Sequence, residues 1–219
     1  MLKRSTKAAF FTVAGPFMWL NGKTYRYLRS PTAEIKAHLG PGRERYLPGW
    51  VNVDANMFTG KCDVWSDLRY DLPFPDNSLR AAYSHHVIEH LPNLRSHFLD
   101  VFRCLEPGGV YRVGGPNGDS AIRKFVEGDL SWFSHFPEDR SSIGGRFENF
   151  IFCAGEHLTI LTESFLFELL ADAGFNDVTL RKPIKDTGFP ELFSDALKKE
   201  HESDANCPHT LLVEAVKPK

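Results

Sequence analysis

The stretch Glu34-Ile35-Lys36-Ala37-His38-Leu39-Gly40-Pro41-Gly42 decides the fold, with Trp50-Val51-Asn52-Val53-Asp54 close behind it. One short run ends in Gly-x-Gly, and a second, apolar one ends in a carboxylate. After the first strand of an open α/β sheet, a glycine turn lets a ligand lie against bare backbone, because no Cβ stands in the way. An acid at the tip of the second strand can accept hydrogen bonds from both hydroxyls of a ribose. Glycine turn, strand and acid together predict a nucleoside-binding edge better than the glycines alone. Only residues 43–49 separate Gly42 from Trp50, whereas a crossover between parallel strands usually needs about ten to twelve residues. Either the first crossover is shortened or the two strands are not parallel neighbours, and both readings stay open in the sequence.

Further strands are expected at 63–65, 79–83, 110–113, 177–181 and 210–216. Helices are expected at 95–105, where Phe98, Val101, Phe102 and Leu105 share one face, at about 119–127, and from the cap Thr162 to Ala173. Leu72-Pro73-Phe74-Pro75-Asp76-Asn77-Ser78 reads as a rigid loop, its φ angles fixed by two prolines. Residues 129–150 read as an irregular aromatic loop, and 129–160 as a lid or acceptor-binding insertion. Residues 185–208 read as a polar surface excursion. Strand–helix alternation, with ligand-type residues at successive strand ends, indicates a doubly wound α/β sheet. Ligands of such sheets bind outside the carboxyl ends of the strands, where Gly40, Asp54, Asp67 and His86 all fall.

The 219 residues suit a domain at 34–219 preceded by an arm, 1–33, that folds back over the core. Within the arm, Trp19, Tyr25 and Tyr27 are candidates to cover a cofactor cleft. Asn21-Gly22 and Ser30-Pro31 read as turns, and Gly15-Pro16 as a break in the apolar run. Lys3, Arg4 and Lys7 ahead of that run resemble a targeting signal, but the run is too short to span a bilayer. A net charge of −2 with no basic tract argues against nucleic acid as a partner. Four cysteines without a Cys-x-x-Cys read as free thiols in a reducing, cytoplasmic setting.

The sequence resembles class I S-adenosylmethionine-dependent methyltransferases, in particular the small type-11-like group. The resemblance rests on His38 to Gly42, Leu47-Pro48-Gly49-Trp50 to Asp54, Asp67-Leu68, Leu72 to Ser78, Ser84 to Leu91, Leu105-Glu106-Pro107-Gly108-Gly109, and Leu169 to Phe175. It implies a Rossmann-like seven-stranded sheet and S-adenosyl-L-methionine as cofactor. It implies that Gly40, Pro41 and Gly42 face the methionine part, that Asp54 holds the ribose, and that Asp67 with Leu68 contacts adenine. His86 would stand where the fourth strand opens towards the methyl group. Pro41 departs from the family pattern and supplies no N–H donor. Small proteins of this kind accompany polysaccharide and glycolipid assembly, which tilts the acceptor towards a sugar hydroxyl.

A sulfonium methyl is already activated, so the protein must align the acceptor and exclude water. A hydroxyl acceptor also benefits from a base titrating near neutrality. His86 and its neighbour His85 are candidates, as is His157 with Glu156 as its orienting partner. Glu89 and His90 read as groups that tie down the next helix. Asp119, Trp132 and Phe150 are candidates to hold a small-molecule or oligosaccharide acceptor. Cys153, His157, Cys207 and His209 match no compact zinc spacing. Mg2+, which needs oxygen ligands, could draw on Asp63, Asp67, Asp119 and Glu156. The alternatives are an N- or C-methyltransferase of another small metabolite, or a non-catalytic binding module. A homo-oligomer is a further expectation.

Overall fold

The structure, a computed structural model, describes residues 4–28, 34–58, 60–204 and 206–219; the Ser30-Pro31 turn lies outside them. The chain runs α1 (Arg4–Leu28), β1 (Ile35–Leu39), β2 (Val51–Asp54), β3 (Val64–Trp65), β4 (Leu79–His85), α2 (Leu94–Cys104), β5 (Leu105–Pro116), α3 (Gly118–Glu127), α4 (Ile143–Phe152), α5 (Glu163–Asp172), β6 (Asn176–Arg181), α6 (Pro190–Leu197) and β7 (Thr210–Val216). The seven strands form one sheet in the order β3-β2-β1-β4-β5-β7-β6. The first five strands are mutually parallel, and β7 runs antiparallel between β5 and β6. The order reverses between β1 and β4, so a crevice is expected outside their carboxyl ends.

β1 and β2 are parallel neighbours, with Ala37 opposite Val51 and Leu39 opposite Val53. The connection between them holds no α-helix, and the buried side chain of Asn52 fastens it. Its Oδ1 accepts from Leu47 N at 3.0 Å, and its Nδ2 donates to Leu47 O at 2.9 Å and Trp50 O at 3.0 Å. His38 on β1 reaches the same Oδ1 at 3.1 Å. One amide thus satisfies backbone groups that a helix would have paired internally.

The main core lies between the sheet and α2 and α5, around Leu39, Val53, Phe74, Phe98, Tyr111 and Leu170. A second cluster covers the other face, where Leu192, Phe193 and Ala196 of α6 meet Trp50 and Tyr83. The segment 185–208 is therefore more than a surface excursion. Behind α6, Glu200 is buried and pairs through both carboxylate oxygens with Arg112 of β5, at 2.8 and 2.9 Å. Arg112 also donates to Glu214 of β7 at 2.7 Å.

Several local expectations change. α1 is continuous through Gly15, Pro16, Asn21 and Gly22. Gly22 is an approach point and not a turn, since a Cβ there would stand 2.9 Å from Ser66 Oγ. β5 starts five residues earlier than expected. It carries Pro107-Gly108-Gly109 as a bulge, with Leu105 opposite Leu79 and Val110 opposite Ala81. The segment 129–150 contains a 3-10 turn at Leu130–Trp132 and most of α4. Its rings close a third cluster of Trp132, Phe133, Ile151 and Cys207. Packing of those aromatics against α3 organises a stretch that lacks a clean apolar period.

Candidate active site

A cavity of about 660 Å3 opens at the carboxyl ends of β1, β2 and β4, within the range of small-ligand and cofactor sites. Gly40, Asp54, Asp67, Leu68 and His86 line it, and α1 contributes Lys7, Phe10 and Phe11. Trp19 belongs to a neighbouring hollow, Tyr25 packs edge-on against Phe74, and Tyr27 is exposed.

Gly40 has φ +75°, and an added Cβ would meet Val87 Cγ2 at 2.5 Å. Its N–H donates to Val53 O at 2.8 Å, so the turn stays against β2. Pro41 is buried and, with Gly42, stands outside the cavity lining. Gly42 N–H donates to Asp54 Oδ2 at 2.8 Å, and Asn56 N–H donates to Oδ1 at 2.8 Å. Burial pushes the Asp54 carboxyl above its ordinary value, against these backbone donors, which pull it down. Each oxygen keeps acceptor capacity for a diol.

Asp67 is buried and held by Arg69, with Nε at 3.0 Å and Nη2 at 2.6 Å from its oxygens. The Arg69 guanidinium in turn lies 3.9 Å from the centre of the Phe11 ring. Phe58, exposed on the rim, sits edge-on to Phe10 at 6.1 Å. Arg69, Phe10, Phe11 and Phe58 are lining residues that no sequence spacing announced.

β4 ends at His85, and the two histidines there part company. His85 is buried on the far face, with Nδ1 2.6 Å from Arg45 Nη1. Burial drives its pKa far below the ordinary value, and it does not line the cavity. His86 leaves the strand with φ +57°, a strained conformation of the kind that gathers at functional sites. It lines the cavity with Nδ1 3.4 Å from Glu89 Oε1 and Nε2 3.1 Å from Thr210 Oγ1.

Glu89 does not tie down the next helix. The N-terminus of α2 is capped by Asn93, which accepts from Ser96 N at 3.0 Å. Glu89 is instead 1 % exposed beside the cavity wall, and neither carboxylate oxygen makes a properly directed hydrogen bond. Burial opposes its ionisation, but the neighbouring His86 and His90 outweigh it and leave the carboxyl below the usual range. Its i,i−3 spacing from His86 is the signal that could have linked the two.

Glu156 and His157 follow three successive residues with positive φ, Cys153, Ala154 and Gly155. The two side chains do not pair. Glu156 takes Lys7 Nζ of α1 at 2.5 Å, while His157 Nδ1 lies 3.0 Å from Ile151 O. His157 stacks edge-on with His90 at 4.9 Å, and burial lowers its pKa.

The acceptor candidates are not gathered here. Trp132 is buried, stacked on His209 at 4.0 Å and donating to Cys207 O at 2.8 Å. Phe150 packs on Trp132 at 5.0 Å. Trp132 is part of the third cluster, and the half-buried Phe150 packs against it; neither lines the cavity. Asp119 accepts from Glu163 N at 2.7 Å and anchors the start of α5. The oxygen set suited to Mg2+ is dispersed: Asp63 binds Asn52, Asp67 binds Arg69, and Glu156 binds Lys7. The Cys153/His157/Cys207/His209 grouping is not assembled either, because His209 is engaged by Glu202 and the Trp132 carbonyl. All four cysteines are free.

The strand order and flanking helices are those of the Rossmann-like fold of class I methyltransferases. Residues 58–113, from the rim of the cavity into β5, match a family model described as a methyltransferase domain. The matched segment is about a quarter of the chain, and the likeness over the rest is one of fold. Over its whole length the chain resembles a Thermotoga maritima methyltransferase described as a possible histamine N-methyltransferase. The TM-score is 0.54 at 14% identity, covering 98% of this chain and 96% of that one. An S-adenosylmethionine-dependent methyltransferase of Archaeoglobus fulgidus gives 0.53 at 15% identity, covering 98% and 95%. At sequence level, 42 residues are 43% identical to the sterol 24-C-methyltransferase of Gibberella zeae, 19% of this chain. The match spans only 11% of that relative's length. Among the described residues, no helix is long and apolar enough to cross a membrane.

Proposed function

We propose that this protein transfers the methyl group of S-adenosyl-L-methionine to a hydroxyl of a small polar acceptor, a saccharide foremost, with His86 as general base. The observation that carries the reading is the placement of His86 on the cavity wall beside a buried carboxylate. Nδ1 stands 3.4 Å from Glu89 Oε1, and a proton held on that side by the carboxylate's charge would leave the lone pair on Nε2. Asp54 would take the ribose hydroxyls, Asp67 and Leu68 the adenine, and Gly40 the approach of the methionine part.

S-adenosyl-L-methionine, held by Gly40, Asp54, Asp67 and Leu68, would supply an activated methyl group whose bonding pair leaves with sulfur as the acceptor oxygen takes the carbon. His86 Nε2 would accept the hydroxyl proton. That nitrogen lies 3.1 Å from the hydroxyl of Thr210, which is buried outside the cavity lining, so the His86 ring must turn away from Thr210 to meet the acceptor. The saccharide reading is supported by the mixture of polar groups (Lys7, Glu156, His90) and aromatic faces (Phe10, Phe11, Phe58) around the opening. Those rings take over the stacking role expected of Trp132 and Phe150.

The test is transfer of isotope from labelled S-adenosyl-L-methionine to a panel of sugars, amines and sterols, with His86→Ala alongside. Labelled methyl ethers should form, and His86→Ala should lower kcat by about 100-fold or more while leaving cofactor affinity within about threefold. Label appearing only on nitrogen or carbon would replace the hydroxyl reading. Absence of cofactor binding would favour a non-catalytic module.

A further inference from the structure

The buried carboxylate of Glu89 has a second set of neighbours. Among the described residues, Glu89, His90 and His157 form the one grouping of three donors whose ligating atoms all lie within 4.8 Å of one another. Glu89 Oε1 is 3.8 Å from His90 Nε2. Two elements distant in sequence are drawn together to make the group. Leu158 N–H donates to Glu89 O at 2.7 Å, and the His90 and His157 rings meet at 4.9 Å.

Both imidazoles are already oriented as ligands. His90 Nδ1 lies 3.0 Å from Glu156 O, and His157 Nδ1 lies 3.0 Å from Ile151 O. A backbone carbonyl can only accept, so each Nδ1 carries the proton and each Nε2 presents a lone pair. This outer hydrogen bond to a carbonyl is the usual support of a metal-bound histidine. The third donor is a 1 % exposed carboxylate with no directed hydrogen bond, which is costly unless a cation meets it. Lys7 does not fill that role, since its ammonium is on Glu156.

We propose that Glu89, His90 and His157 bind a divalent transition-metal ion of the zinc class at the wall of the cavity. Metal–ligand distances of about 2.0–2.2 Å need donor atoms roughly 3.3 Å apart, so side-chain shifts under about 1 Å close the site. Two imidazoles and one carboxylate suit zinc, cobalt(II) or manganese(II) better than Mg2+, which prefers oxygen. Three protein ligands leave positions open, and His90 itself lines the cavity. The open positions take acceptor oxygens, one of which then loses its proton more readily to His86. The role in transfer rests on the function proposed above; the ion site does not.

The test is calorimetric titration of the full chain with zinc and manganese(II), and visible absorption with cobalt(II). A Cys62→Ser background removes the one thiol that is not buried. One equivalent should bind, cobalt should show d–d bands, and His90→Ala and His157→Ala should each weaken binding at least about tenfold. Glu89→Gln should do the same where it folds; the histidine variants decide where it does not. No saturable binding of any of the three ions overturns the site. So does binding that survives the double variant His90→Ala/His157→Ala. Affinity for S-adenosylhomocysteine is measured in parallel, without metal. Nucleoside binding without metal binding removes this inference alone, and the reverse removes the methyltransfer reading alone.

Discussion

At Gly40 a left-handed backbone coincides with a close approach to Val87, whereas Gly42 has φ +60° and open space, with nothing within 4 Å of where a Cβ would stand. Gly40→Ala should therefore cost roughly 2–4 kcal/mol, and Gly42→Ala only about 1–2 kcal/mol, measured by urea unfolding. Equal losses would mean that Val87 yields freely. Gly40 and Asp54 were legible because their chemistry depends on chain position: a turn after one strand, an acid at the tip of the next. Glu89 was not, because its importance lies in what fails to reach its oxygens. His85 and His86 were indistinguishable in one dimension. β4 ends at His85, and the left-handed backbone at His86 turns the second ring off the strand, which separates a buried histidine from one on the cavity wall.

Among elements, the helix-free link between β1 and β2 shows how much one side chain can hold. Asn52→Leu removes the bonds to Leu47 and Trp50 and leaves His38 Nδ1 without its partner. A loss of about 2–4 kcal/mol is expected in denaturant titration, since buried backbone groups go unpaired. A change below about 1 kcal/mol would show that the link holds without the amide. Apolar period and caps placed most strands and helices in advance. They did not reveal β5's early start, because Pro107-Gly108-Gly109 looks like a stop until two flanking strands are present to carry the bulge. Nor did they reveal α4, because rings that bury themselves on each other mimic a binding loop.

At the scale of the whole molecule, the sheet is covered on both faces, and ionisable groups are sealed inside. His38 and His97 are each pushed down to about 4 by burial, and His85 and His157 shift in the same direction. The unfolded chain, with histidines near about 6.5, takes up protons first. Stability should hold above about pH 6.5 and fall as the pH drops towards about 4, by up to about 1.4 kcal/mol per unit for each histidine. Urea midpoints between about pH 7.5 and about pH 4.5 check this, and His97→Leu should flatten the slope. A profile that His97→Leu leaves unaltered would place the proton uptake elsewhere. Charge on the other face behaves differently: Arg112→Met strands Glu200 and Glu214 and should cost about 3–5 kcal/mol in the same assay. The doubly wound order was legible from strand-end residues, but the fit of α1 along the opening was not, because helix docking leaves no periodic trace. Lys7 grips Glu156 at the mouth, so the first helix forms a roof with an ionic latch. On the proposed function, a spent nucleoside would leave past that pair, so Lys7→Ala and added salt are each expected to change kcat, measured under saturating cofactor.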